Sequence, residues 1–242
     1  MEPREIGACC AALYESDWVR LLLGDSFHPG GQVLTQTLGE WLGSKQGARV
    51  LDIASGPGTS AVMLSQRFRW KMTGVDLSAG ACRRARAAGR EGGTGRRTEF
   101  VQADSGRLPF VESSFDAAVC ECSYCTFPDK ALVAREIARV LAPGGMLGLA
   151  DVTRQGELSE DLMSAMGWAA CLAGARPLEE YAAWLEEAGF TVERTHQRPD
   201  ALRELVRQVM LRLAAAEIMV KLGRNPLPPL DFGRAHRLAH EV

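Results

Sequence analysis

At 242 residues the chain is long enough to bury one sizeable α/β core, and no linker-like stretch divides it. Hydrophobic residues at 46% and charged residues at 24% are ordinary for a globular domain. Lys and Arg number 28 against 30 Asp and Glu, and the resulting net charge of −2 gives no general attraction to nucleic acid or to an anionic membrane. No apolar run reaches bilayer-spanning length, and Met1 to Cys10 lacks the basic stretch and apolar run of a secretory signal, so the expected compartment is the cytoplasm. The cysteines (Cys9, Cys10, Cys82, Cys120, Cys122, Cys125, Cys171) form an odd set of 7, which in that compartment implies reduced thiols rather than a disulfide framework.

In chain order, apolar positions at Leu13, Trp18, Leu21 and Leu22 predict an N-terminal helix, which the segment Phe27 to Gly31 ends. A second helix is expected over 32–42. From there strands and helices alternate: strand 49–54, helix 59–68, strand 71–76, helix 79–89, strand 99–102, strand 115–121, helix 129–141 and strand 146–152. Such alternation predicts a mostly parallel sheet with helices on both faces. Beyond Asp151 the pattern gives helices over 159–172 and 177–188, a strand over 190–195, a long amphipathic helix over 201–222 and an irregular Pro-containing tail. The expected organisation is a helical cap (1–48), a core (49–152) and a C-terminal region of the same domain (153–242). Six arginines between Arg83 and Arg97, with Gly residues among them, read as a solvated helix face followed by a floppy loop, since no aromatic residue interleaves with them.

The string VLDIASGPG at 50–58, followed by Val75, Asp76 and Leu77 one strand–loop–helix–strand unit later, implies a nucleoside-binding crevice. Gly in the turn lets backbone amides approach a ligand, and Asp76 at a strand end is placed to accept from ribose hydroxyls. A dinucleotide turn wants G-x-G-x-x-G, whereas here Asp52 opens the string. That early carboxylate would repel a pyrophosphate but suits a cationic amino acid moiety, which favours S-adenosylmethionine over NAD.

Further motifs follow in order: QADS at 102–105, LPF at 108–110, SFD at 114–116 and RVLAPGG at 139–145. Over about residues 49 to 152 the chain resembles the class I S-adenosylmethionine-dependent methyltransferases. The resemblance implies a Rossmann-like fold and S-adenosylmethionine as cofactor. It also implies that Asp52, Ser55, Gly56 and Gly58 border the methionine part, Asp76 and Leu77 the ribose and adenine, and Asp104 and Ser105 the adenine amine. Ala54 stands where the family usually has Gly, and its extra methyl predicts a slightly tighter turn.

The strand over 115–121 runs into Cys120, Glu121, Cys122, Ser123, Tyr124 and Cys125, where substrate is expected, and continues to Pro128, Asp129 and Lys130. Cys171 then precedes Leu172, Ala173, Gly174 and Ala175, 49 positions after Cys122. Both halves, and the text from Tyr181 to Phe190, resemble arsenite methyltransferases and the proteins around them. The resemblance implies that Cys122 and Cys171 hold trivalent arsenic, a soft centre suited to thiolates. Its remaining lone pair can attack a sulfonium methyl without a general base, leaving the protein the task of positioning. The family's further C-terminal cysteine has no counterpart after Cys171. Cys10 or Cys9 is a candidate third ligand, Tyr14 a lid contact over the sulfonium, and Glu121 a contact to the ammonium group.

Other residues carry plainer expectations. Cys120, inside a strand, reads as core packing, Cys82 as incidental and Cys125 as open. A zinc site from Cys120, Cys122 and Cys125 has poor spacing, and no resident metal is expected. His28 fits a loop-shaping role better than that of a general base, and His196, after the last predicted strand, is a candidate for lining the pocket. The partners implied are a small-molecule or metalloid substrate and a thiol reductant, with no nucleic acid and no membrane. Two alternatives stand beside arsenic methylation: a small-molecule methyltransferase acting on carbon, oxygen, nitrogen or sulfur with structural cysteines, and a non-enzymatic sensor of metalloid or cofactor.

Overall fold

The computed structural model describes residues 28–156 and 171–222. Five parallel strands, β1 (Arg49–Ile53), β2 (Lys71–Asp76), β3 (Thr98–Gln102), β4 (Phe115–Glu121) and β5 (Leu141–Ala150), form one sheet in the order β3-β2-β1-β4-β5. The helices are α1 (Gly31–Leu42), α2 (Thr59–Phe68), α3 (Ala79–Glu91), α4 (Lys130–Val140), α5 (Leu178–Glu187) and α6 (Pro199–Lys221).

Strand side chains alternate between faces, and both faces are apolar, as a sheet covered on both sides requires. Val50, Met72, Phe100, Ala117 and Val119 pack with Leu38, Leu42, Leu64 and Trp70 on one side. Leu51, Ile53, Val75, Ala118 and Cys120 pack with Ile137, Val140, Tyr124 and Tyr181 on the other. Asp129 caps α4 by accepting from Leu132 N–H at 2.8 Å, and Ser78 caps α3 by accepting from Ala81 N–H at 2.8 Å.

The predicted alternation from 49 to 152 is present, with β5 starting at Leu141 rather than at 146. Two expectations are corrected. Residues 190–195 are not a strand; Phe190 N–H donates to Leu185 O at 3.0 Å, closing α5, and the chain then runs without a sheet partner to α6. The loop after α3 is not floppy, because buried Thr94 ties it to Gly89 and Thr98. Cys82, on α3, is buried in the core. The predicted helix before residue 28 and residues 159–170 of the helix predicted over 159–172 lie outside the described residues, and residues 171 and 172 are not helical.

The chain leaves β1 toward β2 on one side and reaches β4 on the other, so the loops after β1 and β4 diverge. In sheets of this type such a reversal of strand order opens a crevice at the carboxyl ends of the strands.

Candidate active site

Four carboxylates stand at or just past the carboxyl ends of four neighbouring strands: Asp52 in β1, Asp76 ending β2, Glu121 ending β4 and Asp151 directly after β5. Asp52 is buried; one of its oxygens accepts from Ala61 N–H, while Oδ2 has no hydrogen-bond partner. Burial, then the nearby charges of Glu121 and Asp76, hold its carboxyl well above the usual range. Ser55 Oγ is likewise buried and without a partner. Orphaned polar atoms among converging negative charge are what a cationic, hydrogen-bonding ligand would satisfy.

The turn after β1 supplies the floor. Ser55 N–H donates to Val75 O and Gly58 N–H to Ser55 O, each at 2.9 Å. Asp76 braces this turn, with Oδ2 accepting from Gly56 N–H and Oδ1 from Ser78 N–H, each at 2.8 Å. Gly56 has φ of 52°, and a Cβ there would meet open space, so its backbone lines a cradle. Gly58, at φ of 81°, is required for a different reason: a Cβ there would lie 2.8 Å from Ala85 and Phe100. Ala54 has φ of 55°, which explains why Gly would be easier at this position. A non-Gly residue there costs on the order of 1–2 kcal/mol.

Glu121 is fixed from α1. Thr35, buried at 1% exposure, donates its hydroxyl to both Glu121 oxygens at 2.9 and 3.1 Å. His28 Nε2 lies 3.4 Å from Thr35 Oγ1 and 3.9 Å from Glu121 Oε1, so the segment before α1 closes this end of the crevice. On the β3 side, Leu77 is exposed, Asp104 is exposed with its carboxylate accepting from Gly106 N–H at 2.8 Å, and Ser105 is buried. The sequence therefore brings Asp52, Ala54, Ser55, Gly56, Gly58, Asp76, Leu77, Asp104, Ser105 and Glu121 to one edge of the sheet. Cys10 and Tyr14 lie outside the described residues.

One residue beyond Glu121 the thiols begin. Cys122 is half-buried, whereas Cys125 and Cys171 are buried. Cys171 Sγ–H donates to Cys122 O at 3.1 Å, and its sulfur also hydrogen-bonds with the thiols of Cys122 and Cys125. Cys122 and Cys171 both occupy left-handed backbone, with φ of 48° and 63°. Each such non-Gly position costs on the order of 1–3 kcal/mol and concentrates at functional sites. The thiol pairing with Cys171, then burial, raises the Cys122 pKa; burial first raises that of Cys125.

Asp151 organises this cluster and was missed in the sequence. Its Oδ2 accepts from Cys125 N–H at 2.8 Å and Oδ1 from Val152 N–H at 2.7 Å, and the Cys125 thiol also hydrogen-bonds to it. Burial, then the neighbouring Cys171, pushes its carboxyl up to about 7. Its position near the end of the strand predicted over 146–152 was the available signal. Thr35 gave none, because only the packing of α1 on the sheet brings it to Glu121.

Cys120 is buried in the core, with its sulfur 3.2 Å from Ser123 Oγ, as expected. Among the described residues no group of three or more His, Cys, Asp and Glu is arranged to hold a metal ion. His196 does not line the crevice; it stacks on Trp41 with ring centroids 5.9 Å apart. Among the described residues no helix is long and apolar enough to cross a membrane.

Comparison with known proteins agrees with this geometry. The family described as "Methyltransferase domain" matches residues 50–145. The 27-O-demethylrifamycin SV methyltransferase of Amycolatopsis mediterranei is 30% identical over 92% of this chain and 90% of its own length. Methyltransferase GfsG of Streptomyces halstedii is 34% identical over 69% of this chain, which spans 61% of that relative. An arsenite methyltransferase of Halobacterium salinarum is 29% identical over 60% of this chain and 37% of its own length. Phosphoethanolamine N-methyltransferase 2 of Haemonchus contortus, solved with S-adenosylhomocysteine, shares the fold with a TM-score of 0.79 at 19% identity, over 100% of this chain and 57% of that one.

Proposed function

Because the chain belongs to the S-adenosylmethionine-dependent methyltransferases of class I, we propose that it methylates trivalent arsenic, or a related thiophilic centre, held by Cys122 and Cys171. The cofactor supplies an electrophilic methyl group on a positively charged sulfur. The residues at the crevice fit such a molecule: Asp52 and Glu121 offer negative charge to its ammonium and sulfonium, Ser55 a spare hydroxyl, Gly56 an open backbone, and Asp76, Leu77, Asp104 and Ser105 a wall for the nucleoside. Asp52 has the further task of exchanging an unpaired buried charge for a paired one.

The observation that carries the substrate reading is the meeting of two cysteines 49 positions apart, one residue from Glu121, both on left-handed backbone. Soft trivalent centres prefer thiolates over the oxygen and nitrogen donors of other side chains. Burial around Tyr124 and Tyr181 keeps water from one side of the thiols; Tyr181 OH donates to Val152 O at 3.0 Å and Tyr124 OH to Lys130 O at 2.7 Å, which fixes both rings. Holding acceptor and methyl donor in register is the protein's main contribution, worth on the order of 7–11 kcal/mol where alignment is good.

A second reading, methyl transfer to oxygen of an organic substrate, draws support from the rifamycin relative, which this chain matches over nearly its whole length. Cys122→Ser and Cys171→Ser separate the two. Under arsenic methylation each variant loses turnover of arsenite while cofactor affinity is unchanged. Arsenite methylation undiminished in both variants would overturn the thiol-held substrate.

A further inference from the structure

We infer that His28 is a positioning residue for the cofactor: its Nε2–H donates to Thr35, Thr35 donates to Glu121, and this one-way relay of hydrogen bonds holds the Glu121 carboxylate toward the crevice. The inference rests on the reading of Glu121 as a contact to the cofactor's ammonium group and deepens it by assigning the residues that aim it.

The direction of the relay follows from the number of protons available. A carboxylate only accepts, and Thr35 Oγ1 lies 2.9 and 3.1 Å from the two Glu121 oxygens. Gly31 O, at 3.4 Å, is a longer alternative for the same hydroxyl. A hydroxyl has one proton to give, and the shorter, charge-assisted bond takes it. His28 Nε2, 3.4 Å from Thr35 Oγ1, therefore faces a lone pair and has to carry a proton itself. With its proton committed there, Nε2 is a donor and not a base.

Local backbone builds the arrangement. Gly30 and Gly31 both adopt left-handed backbone, with φ of 80° and 50°, and Gly31 N–H donates to His28 O at 3.3 Å. This turn folds the His28 ring back over the face of α1 that carries Thr35. A Cβ at Gly30 would lie 2.8 Å from Leu34 Cβ, so the fold-back requires glycine there.

The far end of the relay is where the chemistry lies. The Glu121 side chain is 5% exposed, and Thr35 is its one hydrogen-bond partner among the described residues. A carboxylate this buried keeps its orientation only where a donor fixes it, and the lone pairs that Thr35 does not use stay open to a ligand. Asp52, across the crevice in β1, feels the Glu121 charge, which places those lone pairs where a cationic group would sit between the two strands. Hydrogen bonds in series polarise one another, so the imidazole strengthens the Thr35 donor although it stands 3.9 Å from Glu121 and makes no direct hydrogen bond to it.

The test uses the full chain and S-adenosylmethionine. The chain holds 4 histidines, so the ring nitrogens of His28 can be assigned by nitrogen NMR from the signals that His28→Gln removes. In the cofactor-free wild type near neutral pH, Nε2 is expected to carry a proton; a ring with bare Nε2 overturns the relay, whether or not any variant folds. Binding is read by titration calorimetry. His28→Leu, which cannot donate, is expected to bind the cofactor about tenfold more weakly, and Thr35→Val about tenfold or more. His28→Gln and Thr35→Ser, which keep a donor, are expected to restore affinity to within about threefold of wild type. His28→Leu combined with Thr35→Val should lose no more than Thr35→Val alone, because His28 acts through Thr35; losses that multiply overturn the relay.

Glu121→Gln separates the relay from the reading beneath it. Weaker cofactor binding in Glu121→Gln, with His28→Leu and Thr35→Val both within about threefold of wild type, overturns the relay and leaves Glu121 a cofactor contact. Losses in the His28 and Thr35 variants without one in Glu121→Gln overturn the relay and the contact alike, as do three unchanged affinities.

Discussion

Asp52→Asn separates a cofactor contact from a simple turn cap, because the two roles predict opposite changes in stability. The amide keeps an oxygen for Ala61 N–H but removes a buried charge that lies among Glu121 and Asp76. At an effective dielectric constant of about 20, like charges even roughly 10 Å apart repel by on the order of 1–2 kcal/mol. The ligand-free variant is therefore expected to be more stable than wild type near neutral pH by about 1 kcal/mol or more, a rise in melting temperature of about 2–4 °C. Cofactor affinity should move the other way. A hydrogen bond to a charged group is worth about 1.5–3 kcal/mol, so S-adenosylmethionine should bind about 10- to 150-fold more weakly. Thermal melting of the ligand-free protein and titration calorimetry with the cofactor read the two quantities separately. Because the Asp52 carboxyl is raised, cofactor affinity in wild type should also fall as pH is lowered through its titration, a dependence that the amide abolishes. A variant that is less stable than wild type yet binds the cofactor within about threefold would refute the reasoning and leave Asp52 a cap.

The remaining expectations concern the frame around the site. Gly58→Ala combines φ of 81° with a Cβ 2.8 Å from Ala85 and Phe100, and should cost about 1–3 kcal/mol by denaturant melting. Gly43→Ala, at φ of 56° in open space, serves as the control and should cost only the backbone term of about 1 kcal/mol; equal losses would contradict the steric argument. Thr35→Val removes the hydroxyl shared by both Glu121 oxygens and should cost about 1–3 kcal/mol, and an unchanged melting curve would show that Glu121 finds another partner. Asp151 has its folded pKa raised from 3.8 to about 7, so the folded state holds the proton more tightly than the unfolded chain. That contribution is complete below the ordinary carboxyl pKa and is lost as pH rises through about 7, on the order of 4 kcal/mol across the window. Urea melts should therefore show stability falling over this range, with a shallower fall in Asp151→Asn; identical slopes would remove Asp151 as the source.

How much of this could be read from the sequence follows from the range of the interactions involved. The sheet was legible because each strand is a short apolar run between turn signals, and burial on both faces makes such runs continuous. Asp52, Asp76 and Glu121 were legible because a residue ending a parallel strand has a fixed place in such a fold. Phe190 to Thr195 misled because Val192 and its neighbours have strand-like composition, yet the chain there finds no sheet edge, and Val192 is left exposed. Thr35 could not be found, since its role depends on a partner 86 positions away; Asp151 had a legible place near a strand end, but its bond to Cys125, 26 positions before it, did not. The contact of Cys125 with Cys171 was hidden for the same reason, since Cys171 arrives from another segment.

Under the proposed function a methyl group passes to a centre held by thiolates at the edge of this sheet. It is tested most directly by incubating the reduced wild-type protein with S-adenosylmethionine, arsenite and excess thiol, then separating the arsenic species by chromatography with elemental detection. The expected result is methylated arsenicals that form in proportion to the S-adenosylhomocysteine released. Inorganic arsenic recovered unchanged, from a protein shown by calorimetry to bind the cofactor, would contradict it and move the acceptor to an organic small molecule.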